Sequence, residues 1–351
     1  MDLLDVAKKM HFGDIHLHTD VETGLFAIAA VHDLTLGPAI GGCRFVEYPD
    51  TNAAIYDAMR LARGMTYKAA ISKLPHGGGK SVIIRPADFD ESKRDKFFEA
   101  FGAFIDSLGG QYITAKDSGT TVADMDSIHQ KTDYVLGSTP EEGGTGDPSP
   151  LTAFGVRRGI EAAAKFKWDR DDLEGLKVAI QGVGSVGYGL ARELHELGCT
   201  LVVADINEEA VQRCVDEFGA LIAPPDTIHR IECDIYAPAA LGGAINDETL
   251  PELQCDIVAG PANNQLSEDR HGVALRERQI VYVPDYALNA GGLINVAQEH
   301  RGYDAQTVRR KTEAIFDTIL EILERADADG LPTNLVADRI VEEKIYGHAL
   351  R

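Results

Sequence analysis

Two lysines and an aspartate are the residues of this chain best suited to do chemistry. Lys68 ends the segment RGMTYK, and Lys80 follows twelve residues later at the end of PHGGGK. One ammonium can hold a substrate carboxylate. The second, crowded by the first, has a lowered pKa and can act as a base near neutral pH. Gly77, Gly78 and Gly79 read as a turn opening on the apolar run at 81–84, because glycine takes positive φ and lets the backbone approach a ligand. Asp117, in the segment DSGTT, follows a strand-like run and can sit in a cleft, although a capping aspartate has the same local signature. Lysine-rich loops are commonly solvated surface, so the rest of the chain has to decide between these readings.

The second half supplies a partner chemistry. Gly182, Gly184 and Gly187 form G-x-G-x-x-G after the strand-like run at 178–181, and they open a helix that runs through Leu197. The first glycine permits the tight turn, the second lets a pyrophosphate approach, and the third lets helix and strand pack. Asp205 ends the next strand, eighteen residues after Gly187. Its carboxylate can bind a ribose 2′-hydroxyl and would repel a 2′-phosphate. With Ile206-Asn207 beside it and no nearby arginine, NAD is expected over NADP. A lysine pair next to such a cofactor suits amino-acid oxidation.

These groups need a scaffold of two domains, which 351 residues can build, and 44% hydrophobic content supports full cores. The run at 26–33 reads as a strand and 36–44 as a glycine loop. Residues 52–63 read as a helix capped by Thr51, and 95–108 as a second amphipathic helix. The stretch 140–150 holds three prolines and three glycines in eleven residues and reads as the linker. The expected domains are 1–147 and 148–351. A connecting helix at 152–166 leads into βαβ pattern, with strands at 178–181, 201–205, 235–237, 257–259 and 280–284 and a long closing helix at 305–327.

A net charge of −22 disfavours nucleic acid and anionic membranes as partners; it fits a saline habitat or ordinary solubility equally. No stretch approaches eighteen apolar residues, and the first residues carry acids and lysines where a signal peptide needs an apolar run, so a cytoplasmic protein is expected. The five cysteines (43, 199, 214, 233, 255) are scattered, odd in number and without a C-x-x-C pair, and read as small core residues with no metal or disulfide role. His16 and His18 resemble a metal pair but alternate along a strand-like run without a companion motif.

The motifs LGPAIGG, RGMTYKAA, GGGK, DSGTT, the glycine fingerprint, ANNQL and NAGGLINV stand in this order along the chain. Together they resemble the Glu/Leu/Phe/Val dehydrogenase family over essentially the whole length, on its branched-chain and aromatic side and closest to its leucine enzymes. The resemblance implies an α/β protein with an N-terminal catalytic and oligomerisation domain, a C-terminal Rossmann NAD-binding domain and a cleft between them. It also implies that the last residues pack back on the first domain. The implied activity is reversible oxidative deamination of an L-amino acid to a 2-oxo acid and ammonia.

Matched by motif, Lys68 binds the substrate carboxylate, Lys80 activates the water that attacks the imine, and Asp117 shuttles protons to and from the amino group. Gly41, Gly42, Met65 and Asn264 are implied to touch substrate, and Ile40, Ala115, Leu293 and Val296 to line the side-chain pocket. The cofactor is implied to lie on Gly182, Val183, Gly184, Ser185, Val186, Gly187, Tyr188 and Asp205, with Thr152 and Asn263. Homo-oligomers, from dimers to octamers, are implied through the N-terminal domain. His76 and Lys116 depart from the family's usual residues at their positions. Lys116 would depress the pKa of Asp117 if their side chains were close, although neighbours on a strand point apart.

The four pocket residues are apolar. A γ-carboxylate would be buried unpaired among them, which disfavours glutamate. Branched aliphatic amino acids fit best, and an aromatic substrate is the alternative, because Leu293 is bulkier than the valine associated with leucine enzymes. A non-catalytic NAD-binding sensor or scaffold is the alternative of another class, and NADH formation from L-leucine separates it from an enzyme.

Overall fold

The computed structural model describes residues 3–139, 145–240, 242–299 and 302–347. The chain forms two units, Met1–Gly146 with Val296–Tyr303, and Asp147–Asn295 with Asp304–Arg351. The segment Val296–Tyr303, placed in the second domain by the sequence reading, clusters with the first. The expected linker begins with residues 140–144, which lie outside the described residues, as does the expected packing of the last residues, 348–351.

The first unit contains α1 (Leu3–Lys9), β1 (Asp14–Asp20), β2 (Leu25–Asp33), β3 (Ala39–Val46), α2 (Thr51–Ile71), β4 (Gly77–Ile84), α3 (Arg94–Ser107), β5 (Tyr112–Lys116), α4 (Val122–His129) and β6 (Val135–Leu136). Its sheet has the order β1-β2-β4-β3-β5-β6. The β1–β2 and β2–β4 pairs are antiparallel; β4, β3, β5 and β6 run parallel. One face packs on α2 through Ile28, Ala54, Ala58, Met59 and Val82, and the other on an aromatic cluster of Phe45, Phe97, Phe98 and Phe101.

Two expectations fail here for one reason. Residues 36–44 are not mainly a loop: Ala39–Val46 is a central strand. The triple glycine is not a turn: Gly77, Gly78 and Gly79 begin β4, and none has positive φ. These glycines make room for neighbours. A Cβ on Gly78 would stand 2.0 Å from the Thr66 backbone nitrogen, and one on Gly79 would stand 2.5 Å from the Tyr112 ring. Helix α2 is also longer than expected. It runs to Ile71, carries Lys68 in its last turn, and is capped by Asp50, whose side chain accepts from the Ala53 N–H, instead of by Thr51.

The second unit contains α5 (Ser149–Trp168), β7 (Lys177–Gln181), α6 (Ser185–Glu196), β8 (Thr200–Ala204), α7 (Glu208–Phe218), β9 (Leu221–Ile222), β10 (Ile235–Pro238), β11 (Ile257–Val258), α8 (Arg270–Glu277), β12 (Val281–Tyr282), α9 (Asp285–Leu288), α10 (Gly291–Val296), α11 (Ala305–Glu313), α12 (Ile315–Asp329) and α13 (Thr333–Tyr346). The sheet is wholly parallel, in the order β12-β11-β10-β7-β8-β9. The order reverses between β7 and β10, the switch point at which doubly wound sheets bind nucleotides. The closing helix expected at 305–327 is broken at Ala314, whose N–H still donates to Arg310 O, and a further helix, α13, follows.

Candidate active site

Strand alternation places Gly42 and Arg44 on one face of β3. Lys80 reaches that face from β4, since Cys43 pairs with Ser81 in the parallel register. Asp117 follows the last residue of β5, which pairs with the other edge of β3. Three strand segments therefore converge on one spot. The Lys80 ammonium donates to Asp117 Oδ2, with the lysine side chain 8% exposed and the aspartate 22%. Arg44 Nε lies 3.5 Å from the same oxygen. Asp117 Oδ1 accepts from the Ser118 N–H at 2.7 Å.

The loop carrying Asp117 is fixed from several sides. The Thr120 hydroxyl accepts from the Asp117 N–H at 2.9 Å and lies 3.1 Å from Cys43 O, to which it donates. Arg94 forms a two-pronged pair with the buried Asp124, at 2.6 and 2.8 Å, and also donates to Gly119 O at 2.8 Å. Asp124 in turn closes the capping box of α4 with Thr121. Removing Arg94 would leave a carboxylate buried and unpaired, a loss of about 3–5 kcal/mol.

Burial pushes the Lys80 ammonium down to about 7, the Arg44 guanidinium adds to the shift, and Lys68 acts more weakly in the same sense. The sequence reading credited Lys68 with this effect, but burial and Arg44 outrank it. Cys43 and the Asp57 carboxylate work against the shift. The neighbouring Cys43 thiol is pushed up to about 12 by burial, so it has no nucleophilic role at neutral pH.

Other expected residues fall around this centre. Gly41 accepts from the Tyr112 hydroxyl at 2.6 Å, Ile40 is buried in β3, Ala115 is half-buried on β5, and Lys68 and Met65 are half-buried on α2. His76 is buried, with Nδ1 3.3 Å from Pro38 O. Lys116 is exposed at the end of β5. His16 and His18 do alternate on β1, and His18 stacks on Phe104 with centroids 4.7 Å apart. Sequence reasoning missed Arg44 and the group that anchors it, Asp57. No motif along the chain marks either residue.

In the second unit the fingerprint forms a cradle. Gly182 has φ of +100°, and a Cβ on Gly187 would stand 2.0 Å from Gly182 O, so both are required by the turn itself. Gly184 has nothing within 4 Å of its Cβ position. No packing among the described residues calls for glycine there, whereas a diphosphate lying on the exposed Gly184-Ser185 backbone does. Asp205 stands after β8 with Oδ2 accepting from the Val183 N–H at 2.7 Å, beside the cradle. Val186 is half-buried in the first turn of α6. Tyr188 is turned away: its ring stacks under Arg213 at 3.8 Å and its hydroxyl donates to Glu217, so its side chain belongs to the α6–α7 contact. Thr152 donates to Pro148 O at 3.0 Å, and Asn263 accepts from Asn289 at 2.7 Å. Asn264 is exposed with φ of 52°, Leu293 is buried in α10, and Val296 is half-buried at its end. The residues present therefore fit a dinucleotide carrying a free ribose 2′-hydroxyl.

Comparison with known proteins agrees with both halves. Residues 10–134 match the model of the Glu/Leu/Phe/Val dehydrogenase dimerisation domain, and residues 143–333 match that of Glutamate/Leucine/Phenylalanine/Valine dehydrogenase. The leucine dehydrogenase of Bacillus subtilis is 52% identical over 98% of this chain and 94% of its own. The valine dehydrogenase of Streptomyces virginiae is 46% identical over 93% and 91%. The crystal structure of L-tryptophan dehydrogenase from Nostoc punctiforme superposes with a TM-score of 0.88 at 41% identity, covering 98% of each chain. With fold, fingerprint and full-length similarity in agreement, the chain belongs to the Glu/Leu/Phe/Val dehydrogenase family.

Proposed function

We propose that this protein is an NAD-dependent oxidoreductase that reversibly deaminates a branched-chain aliphatic L-amino acid (leucine, valine or isoleucine) to the 2-oxo acid and ammonia. The observation that carries the chemistry is the buried Lys80 paired with the half-buried Asp117, with Lys80 held at about 7. The leucine and valine dehydrogenases, at 52% and 46% identity, support the substrate class.

NAD, when bound, accepts the hydride from the substrate Cα. Lys68, on α2, holds the substrate carboxylate and so fixes the Cα. Asp117 takes a proton from the substrate ammonium before hydride loss and returns one to the departing amine. Lys80, neutral near pH 7, takes a proton from the water that adds to the iminium carbon, and the resulting carbinolamine collapses to the 2-oxo acid and ammonia. In the first unit, Ile40, Ala115 and Val296 are apolar and offer no partner to a substrate γ-carboxylate, which supports an aliphatic side chain. The cradle with Asp205 selects NAD, because a 2′-phosphate would meet a carboxylate and the exposed Ile206.

An aromatic substrate is the second reading. It is favoured by the likeness to the L-tryptophan dehydrogenase of Nostoc punctiforme, 46% identical in a sequence alignment over 91% of this chain. A sensor or scaffold without catalysis would have no need of a buried lysine held on an aspartate. The match of residues 10–134 to a dimerisation domain supports a homo-oligomer, and Leu17, on the edge strand β1, is 56% exposed. Among the described residues, no helix is long and apolar enough to cross a membrane. The direct test is product stoichiometry: one NADH, one 2-oxo acid and one ammonia per L-leucine consumed. NADH without ammonia would refute deamination.

A further inference from the structure

We propose that Arg44 is the positioning residue of this site: a cation that keeps its charge, anchored by Asp57 and aimed at Asp117, so that Lys80 can give up its proton without leaving Asp117 an uncompensated carboxylate. The inference rests on the proposed roles of Lys80 and Asp117.

Three observations carry it. First, both cations address one atom: the Lys80 ammonium donates to Asp117 Oδ2, and Arg44 Nε stands 3.5 Å from it. Second, that Nε is buried and makes no hydrogen bond among the described residues, although an arginine in water would satisfy it. A contact of 3.5 Å between an unused donor and a carboxylate is an ion pair ready to shorten. Third, the other end of Arg44 is held. Its Nη1 donates to Asp57 Oδ2 at 2.9 Å, the Tyr48 hydroxyl donates to the same oxygen at 2.7 Å, and Arg60 donates to Asp57 Oδ1 at 3.1 Å. Asp57 comes from α2, the helix that also carries Lys68, so one helix sets both the carboxylate-binding lysine and the anchor of Arg44.

The charge arithmetic explains the need. With Lys80 protonated, Asp117 faces two positive charges. When Lys80 acts as a base it must first be a neutral amine, and Asp117 then keeps Arg44 alone. Arginine cannot take the other role, since it does not deprotonate in proteins. The titratable and charged groups acting on Lys80 are Cys43 and Arg44 from β3, Asp57 and Lys68 from α2, and Asp117, which accepts from it. Of these, Arg44 is the permanent cation that shares an oxygen with Lys80.

The test compares wild type with Arg44→Met, Arg44→Lys and Asp57→Asn. The titration midpoint of Lys80 is read by pH-dependent acylation with acetic anhydride and peptide mass spectrometry, which needs no substrate. The acid limb of kcat/KM for L-leucine is read in parallel. In Arg44→Met the Lys80 midpoint moves up by about one pH unit, a tenfold change in proton affinity. Turnover then falls about fivefold at pH 7, as the neutral fraction of Lys80 drops with a one-unit rise, and recovers at pH 9–10. Arg44→Lys restores the midpoint, and Asp57→Asn, which frees Arg44 but also removes a carboxylate that raises the Lys80 pKa, moves it less than Arg44→Met does. A merely structural arginine would lower the unfolding midpoint and leave the titration in place. An unchanged Lys80 midpoint in folded Arg44→Met overturns the proposal. Failure of the deamination reading is a separate result, in which wild type gives no NADH with any L-amino acid while the acylation midpoints still decide the role of Arg44.

Discussion

Gly42 and Asp117 are packed so closely that no carbon fits between them: a Cβ on Gly42 would stand 2.7 Å from Asp117 Cβ and 3.3 Å from its Cγ. The strand beneath Asp117 must therefore be bare at this position. Gly42→Ala should push Asp117 off Lys80 and lower kcat for L-leucine by about 10²-fold, within the usual worth of a general acid–base group. NADH affinity, read by fluorescence titration, should stay within about twofold, because the cradle lies in the other unit. Retention of most of the turnover would show that Asp117 tolerates displacement and is not the proton shuttle.

Lys80 should leave two signatures in pH. As a base it must be neutral, so kcat/KM for deamination should rise through about pH 7, and Lys80→Ala should lose about 10²–10⁴-fold in turnover while NADH still binds. Stability has its own sign. Folding lowers the pKa from 10.5 to about 7, so between these values the unfolded chain binds more protons. The contribution of Lys80 to stability therefore rises with pH across that window and is flat below it. The urea midpoint of wild type relative to Lys80→Met should increase from pH 7 to pH 10. A difference independent of pH would mean that Lys80 titrates normally.

Asp205 has a second task besides cofactor choice, since its carboxylate also holds the Val183 N–H of the glycine turn. Asp205→Ser with Ile206→Arg should raise the NADP-to-NAD ratio of kcat/KM by about tenfold or more, one charge-assisted contact being worth about 1.5–3 kcal/mol. The Michaelis constant for NAD should rise in the single Asp205→Ser variant. Equal wild-type efficiency with the two cofactors would contradict the contact with the 2′-hydroxyl.

Leu293 should limit the size of the substrate side chain. Leu293→Ala removes about three carbons, and the phenylalanine-to-valine ratio of kcat/KM should rise about tenfold or more, each methylene counting for about 1 kcal/mol. The Michaelis constant for NAD should be nearly unaltered. An unchanged ratio would remove Leu293 from the pocket and leave Ile40 and Val296 to define it.

Much of this was legible in the sequence because it is local. The run at 26–33, the helix around 95–108 and the βαβ unit at 178–205 each carry their own hydrophobic period, and the glycine fingerprint is a local turn. The central glycines were not legible. Gly77, Gly78 and Gly79 look like a turn by composition, yet they are extended and bare because α2 and Tyr112 press on them, a tertiary demand invisible along the chain. The short strands β11 and β12, two residues each, were overextended because neighbouring apolar residues continue the pattern. Arg44 was missed because a single arginine after GGC carries no motif. Its role appears only when β3 is seen between β4 and the loop that bears Asp117.

The central claim is oxidative deamination of a branched aliphatic amino acid, and NADH absorbance at alkaline pH with a panel of L-amino acids tests it most directly. Leucine, valine and isoleucine should give the highest kcat/KM. Phenylalanine and tryptophan should be lower, by about tenfold or more if the pocket discriminates by 1–3 kcal/mol, and glutamate should be inactive. A panel led by tryptophan or phenylalanine would contradict the substrate assignment, and absence of NADH with every member would contradict the enzyme itself.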